Sequence, residues 1–155
     1  MRYRPYSHLD FAELYAIEEV CFQPPFRFGR RYMRRLIESP AASTWVAEED
    51  GRMAGFAIAE FSRKSPGAIA YIQTIEVLPE QRGRGVGSRL LCTIEASARA
   101  LQASAIWLHV ESTNAGAIRL YEAHGYRVEG REEDFYAPGR GALICRKLLD
   151  TEISE

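Results

Sequence analysis

The segment that most narrows the choice of fold is Ile75-Glu76-Val77-Leu78-Pro79-Glu80-Gln81-Arg82-Gly83-Arg84-Gly85-Val86-Gly87-Ser88. It ends a β-type run, breaks at Pro79 and opens into a long amphipathic helical pattern over about 85–101. Glycines at alternate positions remove Cβ atoms where a backbone must approach something closely. Exposed amides at a helix start, helped by the helix dipole, make a site for anions. Arg82 and Arg84 add charge, and the expected ligand is a pyrophosphate. A nucleotide-triphosphatase P-loop would need a Gly-Lys-Ser/Thr ending, which is absent. A dinucleotide fingerprint would need Gly-x-Gly-x-x-Gly, and Gly83, Gly85 and Gly87 have the wrong spacing.

The flanking pattern supplies the other elements. Leu9, Leu14, Ile17 and Val20 predict a helix over about 8–21, ended by Phe22-Gln23-Pro24-Pro25-Phe26. Tyr32, Leu36 and Ile37 suggest a second, short helix. Ser43–Glu48 and Met53–Phe61 read as strands around an Asp50-Gly51 hairpin turn, and Pro66-Gly67 reads as another turn before a strand at Ile69–Val77. In the long helix Leu90, Leu91, Ile94, Ala98 and Leu101 share a side. Ile106–Val110 is a short strand, and Asn114 caps a helix that runs to Gly125. Residues 126–136 and 142–148 read as a final antiparallel pair around Pro138-Gly139. This order gives a mixed α/β sheet with helices on its faces.

Composition limits the partners. With 155 residues, 46 % hydrophobic and 26 % charged, the chain suits a single domain over 1–155, with a flexible tail over about 150–155. A net charge of −1 gives no bulk reason to bind nucleic acid or an anionic membrane. No stretch approaches the roughly 18 apolar residues of a membrane span, and no signal-peptide core is present. The Arg27–Arg35 cluster reads first as a solvated helix face, and otherwise as a contact for a phosphate or an acidic partner. Cys21, Cys92 and Cys145 lack metal-ligand spacing and any Cys/His motif. They are expected as buried or semi-buried thiols of a cytoplasmic protein, with no metal.

Arg82-x-x-Gly85-x-Gly87 resembles the acetyl-CoA signature of the GNAT acetyltransferase superfamily. Asn114, Ala117, Tyr121, Gly125 and Tyr126 resemble its second motif, at the expected separation. The resemblance spans nearly the whole chain. It implies a mixed, mainly antiparallel sheet of about six or seven strands with about four helices. It implies acetyl-CoA as co-substrate, held by Ile75, Glu76, Val77, Arg82, Gly83, Arg84, Gly85, Val86, Gly87, Ser88, Asn114 and Ala117. It also places Tyr121 near the thioester sulfur, where a phenol of pKa about 10 could protonate a thiolate of about 8.5.

Alternation places Trp107 and His109 on the strand face opposite Ile106, Leu108 and Val110, and sets Tyr71 with Gln73 and Ile75. Glu111 reads as lying on the face opposite His109. The words Tyr71-Ile72-Gln73-Thr74 and Leu108-His109-Val110 resemble NatE-type N-terminal acetyltransferases, in which this tyrosine and histidine activate the amine. RimI-type enzymes carry glutamate where this chain has His109. The resemblance further implies that Phe22, Pro25 and Phe26 form a substrate loop and that Tyr136, in Asp134-Phe135-Tyr136, covers a peptide. Phe22, Phe26 and Phe135 read equally well as core packing.

An α-amine of pKa about 7.7–8.0 is substantially neutral near neutral pH, whereas a lysine at about 10.4 is not. The reading is therefore direct acetyl transfer to a protein or peptide N-terminus. The alternatives are a small-amine acetyltransferase (polyamine, amino acid or antibiotic), for which Glu132, Glu133 and Asp134 could line a cleft with carboxylates rather than form a solvated strand edge, and a non-catalytic acetyl-CoA-binding module. Tyrosine, histidine and a water chain remain open as the base, and both monomer and homodimer remain open.

Overall fold

Among the described residues eleven α-helices and β-strands follow one another. They are β1 (Arg2–Pro5), α1 (Phe11–Cys21), α2 (Arg30–Glu38), β2 (Ala42–Glu49), β3 (Arg52–Lys64), β4 (Gly67–Val77), α3 (Val86–Ala100), β5 (Ala103–Glu111), α4 (Ala115–Ala123), β6 (Arg127–Ala137) and β7 (Arg140–Leu148). The structure, a computed structural model, describes residues 1–64 and 67–149. Pro66 of the expected Pro66-Gly67 turn and the tail from residue 150 lie outside the described residues. The seven strands hydrogen-bond in the order β1-β2-β3-β4-β5-β7-β6. β4 and β5 run parallel, while β1–β2, β2–β3, β5–β7 and β6–β7 are antiparallel. No helix among the described residues is long and apolar enough to cross a membrane.

The chain gathers into two compact units, Met1–Glu60 with Gln73–Ile94, and Phe61–Ile72 with the residues from Glu95 onward. In the first, Phe11, Leu14, Tyr15 and Ile17 of α1 and Met33 and Leu36 of α2 close over Val46, Met53, Phe56 and Ile58. Each such side chain removed from water contributes about 1.5–3 kcal/mol. The buried stripe of α1 differs from the expected one. Leu9 is 82 % exposed and Val20 is also exposed, while Phe11, Tyr15 and Glu18 turn inward. Asp50 (φ 51°) and Gly51 (φ 75°) make the expected hairpin turn, with the two positive φ values that a tight turn of this hand requires.

Strand β1 is absent from the sequence reading because Arg2-Tyr3-Arg4-Pro5 carries no apolar alternation. It is held by charge. Arg4 makes two bonds to Asp10 (2.8 and 2.9 Å) and reaches Glu48 at 2.8 Å. The Arg27–Arg35 cluster likewise finds protein partners. The Arg34 guanidinium lies 3.9 Å from the Phe11 ring centre, and Arg30 lies 5.0 Å from that of Tyr15.

In the second unit Ile106, Leu108 and Val110 are buried, as is Cys145 of β7, which is opposite Leu108. Buried Glu95 accepts bonds from Tyr126 Oη (2.9 Å) and Lys147 Nζ (3.0 Å), which compensate a carboxylate withdrawn from water. Leu101, expected on the buried side of the long helix, is exposed just past its end, and Cys92 is exposed rather than buried.

Candidate active site

In the first unit the glycine loop follows a tight approach of β3 to β4. A Cβ built on Gly55 would lie 2.4 Å from the Glu76 carbonyl oxygen, so the strand can pass only without a side chain there. The Pro79–Gln81 turn then leads to Gly83 (φ 79°) and Gly85 (φ 80°), conformations that L side chains rarely adopt. Val86 is buried and starts α3, and the first helical bond runs from Arg89 N–H to Gly85 O at 3.0 Å. The Val86 and Gly87 amides precede that bond and are not committed to the helix ladder. Added Cβ atoms at Gly83 and Gly85 would meet nothing within 4 Å, so φ, not crowding by the chain, requires glycine there.

The two arginines are engaged with the protein. Arg82 donates from Nε to Val77 O at 3.0 Å and approaches Cys21 Sγ. Arg84 forks onto Glu49 at 2.8 and 3.0 Å and also contacts Gln81. Glu49 therefore balances the Arg84 charge, and much of the anion attraction falls to backbone amides and the helix dipole. The Glu76 side chain points inward. It is buried, accepts from Thr74 Oγ1 at 2.8 Å, and is held well above the usual carboxylate range by burial and by neighbouring Glu18. What Glu76 can offer a ligand is its backbone. Burial pushes the Cys21 thiol up to about 11 and raises that of Cys145, so neither is poised as a thiolate nucleophile.

The Phe22–Phe26 segment is pinned from several sides. Phe22 N–H caps α1 through Glu18 O at 3.0 Å, and Arg27 Nε donates to Phe22 O at 2.9 Å. Beyond it, buried Glu18 accepts the Phe28 amide at 3.0 Å, and Tyr15 donates to Phe28 O at 2.9 Å. Phe22 and Phe26 are half-buried and Pro25 is exposed.

In the second unit the structure brings together the two residues expected to activate the amine. Tyr71 Oη lies 2.8 Å from His109 Nδ1, across the parallel β4–β5 pair. The rings of Tyr71, Trp107 and His109 pack mutually, with centroids 4.5 to 5.7 Å apart. The other imidazole nitrogen, Nε2, lies 3.2 Å from Glu132 Oε1. Phe135 stacks flat on the imidazole, with ring centres 3.9 Å apart and planes 8° apart. The His109 side chain is thereby only 7 % exposed.

Strict alternation would send Glu132 and Phe135, three residues apart, to opposite faces. The β6–β7 register breaks between Glu132 and Ala137, and Asp134 sits in the left-handed region at φ 57°. Asp134 Oδ1 accepts the Gly139 amide at 2.7 Å, which fixes this irregular stretch. The break changes the phase of the strand and brings both side chains to one histidine. The sequence names Glu132 and Phe135 but, for this reason, does not place them against His109. The available signal was Asp134, a residue type that tolerates positive φ. Glu111 also needs correction. It lies in the same half-buried row as Trp107 and His109, as a period of two requires, and its carboxylate accepts from Thr113 N–H and Oγ1.

Asn114 caps α4, its Oδ1 accepting the Ala117 amide at 3.2 Å. Tyr121 is buried, edge-on to Tyr126 with ring centres 5.6 Å apart. Burial raises the Tyr121 phenol well above its ordinary value and does the same to Tyr136. Tyr121 is thus kept as a protonated donor, but the simple match between an ordinary phenol and a departing thiolate does not carry over. Tyr136 packs edge-on against Phe135, at 4.9 Å between centres.

The sequence profile of the acetyltransferase (GNAT) family matches residues 11–126, from α1 through the glycine loop to the end of the Asn114–Tyr126 motif. The chain belongs to the GNAT acetyltransferase family. This acetyltransferase is 29 % identical over 143 residues to the N-terminal acetyltransferase A complex catalytic subunit NAA10 of Arabidopsis thaliana, covering 90 % of this chain and 73 % of that protein. It is 35 % identical over 100 residues to streptothricin acetyltransferase of Streptomyces lavendulae, covering 64 % of this chain and 52 % of that one. Its fold resembles the crystal structure of the ribosomal-protein-S18-alanine N-acetyltransferase from Escherichia coli, with a TM-score of 0.85 at 21 % identity, over 99 % of this chain and 98 % of that chain.

Proposed function

We propose that this acetyltransferase moves the acetyl group of acetyl-CoA onto the N-terminal α-amine of a peptide or protein. The observation that carries the reading is the 2.8 Å contact between Tyr71 Oη and His109 Nδ1. Both imidazole nitrogens have partners, so Tyr71 Oη is the atom that meets the amine and His109 stands behind it as acceptor. The neutral amine forms its bond to the acetyl carbon through its lone pair. Its proton passes to Tyr71 Oη as the phenolic proton passes to Nδ1. An α-amine of pKa about 7.7–8.0 reaches this pair in neutral form far more readily than a lysine of about 10.4.

The glycine loop fits the pyrophosphate of coenzyme A. Gly83 and Gly85 hold backbone shapes that keep the loop bare, and the Val86 and Gly87 amides open α3. Ile75, Val77 and the Glu76 backbone border the acyl group, Asn114 and Ala117 the pantetheine arm, and Tyr121 donates a hydrogen bond to the departing sulfur. Phe22, Pro25, Phe26 and Tyr136 receive the first residues of the peptide. Acetyl-CoA supplies the activated acyl group when bound.

A second reading, acetylation of a small polycationic amine, draws on the identity to the streptothricin enzyme and on the Glu111 and Glu132 carboxylates on the face of His109. Thiol release from acetyl-CoA, measured over a panel of short peptides and small amines, separates the two. The expected result is turnover of at least one peptide with a free α-amine, lost when that amine is blocked. A preference for polyamines or aminoglycosides over every peptide would overturn the first reading.

A further inference from the structure

Glu132 sits on β6, two strands away from His109, yet its carboxylate reaches the imidazole. Strands two apart are about 9–10 Å from each other, so a long side chain must cross the intervening strand. The register explains how it does. Glu132 is opposite Ala142 on β7, and Ala142 is in turn opposite Glu111 on β5. Alanine leaves the row low enough for the glutamate to lean across toward the neighbouring row, where His109 is opposite Ile144 and Ile144 opposite Gly130. Other charged groups on this face are engaged elsewhere. Glu111 accepts from Thr113, and Arg146 pairs with Glu129 at 2.8 Å.

We infer that Glu132 is a positioning residue for the Tyr71–His109 pair, accepting the Nε2 proton of His109 and so keeping Nδ1 bare for Tyr71. This inference rests on the reading that Tyr71 and His109 carry the amine proton. A neutral imidazole has one donor and one acceptor nitrogen, and the bond made by one fixes the role of the other. A carboxylate can only accept, so contact at Nε2 requires the proton there, and Nδ1 is then an acceptor for the phenol. Without Glu132 the imidazole can carry its proton on Nδ1, where it meets the Tyr71 hydroxyl and cannot receive. Phe135, stacked on the ring from the same irregular stretch of β6, limits its rotation.

Magnitude separates this role from that of the base. Glu132 is 49 % exposed, and a single hydrogen bond so open to water is worth a factor of about five, against the 10²–10⁴ of an acid–base group. The test uses Glu132→Ala and Glu132→Gln in the full chain, labelled with ¹⁵N-histidine. The chain has three histidines, and loss of one signal set in His109→Gln assigns His109. The wild type is expected to show the Nε2-protonated tautomer at a pH where the ring is neutral. Glu132→Ala is expected to populate the Nδ1-protonated form and to lower kcat about fivefold on the best peptide of the panel, with the KM for acetyl-CoA unchanged. Glu132→Gln, whose amide oxygen still accepts, should keep the wild-type tautomer and most of the turnover.

An Nδ1-protonated wild type, or an alanine variant unchanged in tautomer or in kcat, overturns the inference. So does a glutamine variant as slow as the alanine one with a wild-type tautomer, because charge rather than orientation would then be at work. Absence of turnover by the wild type on every peptide would sink the proposed function instead, and the tautomer spectra would still decide whether Glu132 orients the ring.

Discussion

Replacing Tyr71 by phenylalanine removes one oxygen and leaves the ring packing against Trp107 in place. Its consequences for stability and for turnover differ in size. His109 Nδ1 loses its partner in a side chain only 7 % exposed, and an orphaned buried acceptor costs about 1–3 kcal/mol. In a chain of this size each kcal/mol lowers the melting midpoint by about 2–4 °C, so the variant should stay folded and readily measurable. Turnover should fall further. Loss of an acid–base group costs about 10²–10⁴ in rate, or about 2.7–5.4 kcal/mol of barrier. If the phenol and imidazole form one relay, the losses will not add. Tyr71→Phe, His109→Ala and the double variant should all be slow to a similar degree, because breaking either link breaks the chain. The assay is thiol release at saturating acetyl-CoA and peptide, with calorimetric titration of acetyl-CoA to show that cofactor affinity is retained. Tyr71→Phe turning over within threefold of wild type would refute the role of the hydroxyl. A double variant whose loss is the product of the single losses would refute the relay.

Gly85→Ala places a side chain at φ 80°, a cost of roughly 1–2 kcal/mol, and should weaken acetyl-CoA binding about tenfold in calorimetry while the protein remains folded. Gly55→Ala drives a methyl group into the Glu76 carbonyl and should cost about 3 kcal/mol in urea unfolding, since backbone rather than a flexible side chain stands in the way. Glu76→Gln should change the pH dependence of stability. Burial and Glu18 raise the folded-state pKa of Glu76, so its contribution is complete below the unfolded value of about 4.5 and is lost as pH rises through the folded value. Urea midpoints taken from about pH 5 to pH 8 should therefore fall less steeply with pH in the glutamine variant. Parallel slopes would show that Glu76 titrates as an ordinary carboxyl.

Much of the fold was legible because its signals are local. The glycine loop, the Asp50-Gly51 turn and the Asn114 cap each depend on residues within a few positions, and each stands where expected. Alternation also grouped Tyr71 with Gln73 and His109 with Trp107, and the structure keeps both groupings; only the β4–β5 register brings the two rows together. Alternation did not find β1, which is held by Arg4 reaching Asp10 and Glu48 rather than by an apolar face. It chose the wrong edge of α1, where Leu9 and Val20 are exposed and Glu18 is buried with Glu76 as neighbour. Hydropathy cannot foresee a carboxyl that is kept inside by the Phe28 backbone amide.

The sequence alone determined the family, the positive-φ glycines before α3 and the strand faces of Tyr71 and His109, because motif spacing, backbone conformation and period-two facing are written into neighbouring residues. Only the tertiary structure decided what surrounds His109. The break in β6 at Asp134 turns Glu132 and Phe135 toward it, and both arrive from two strands away. Such contacts depend on register and strand phase across a sheet, and no short window of sequence carries either.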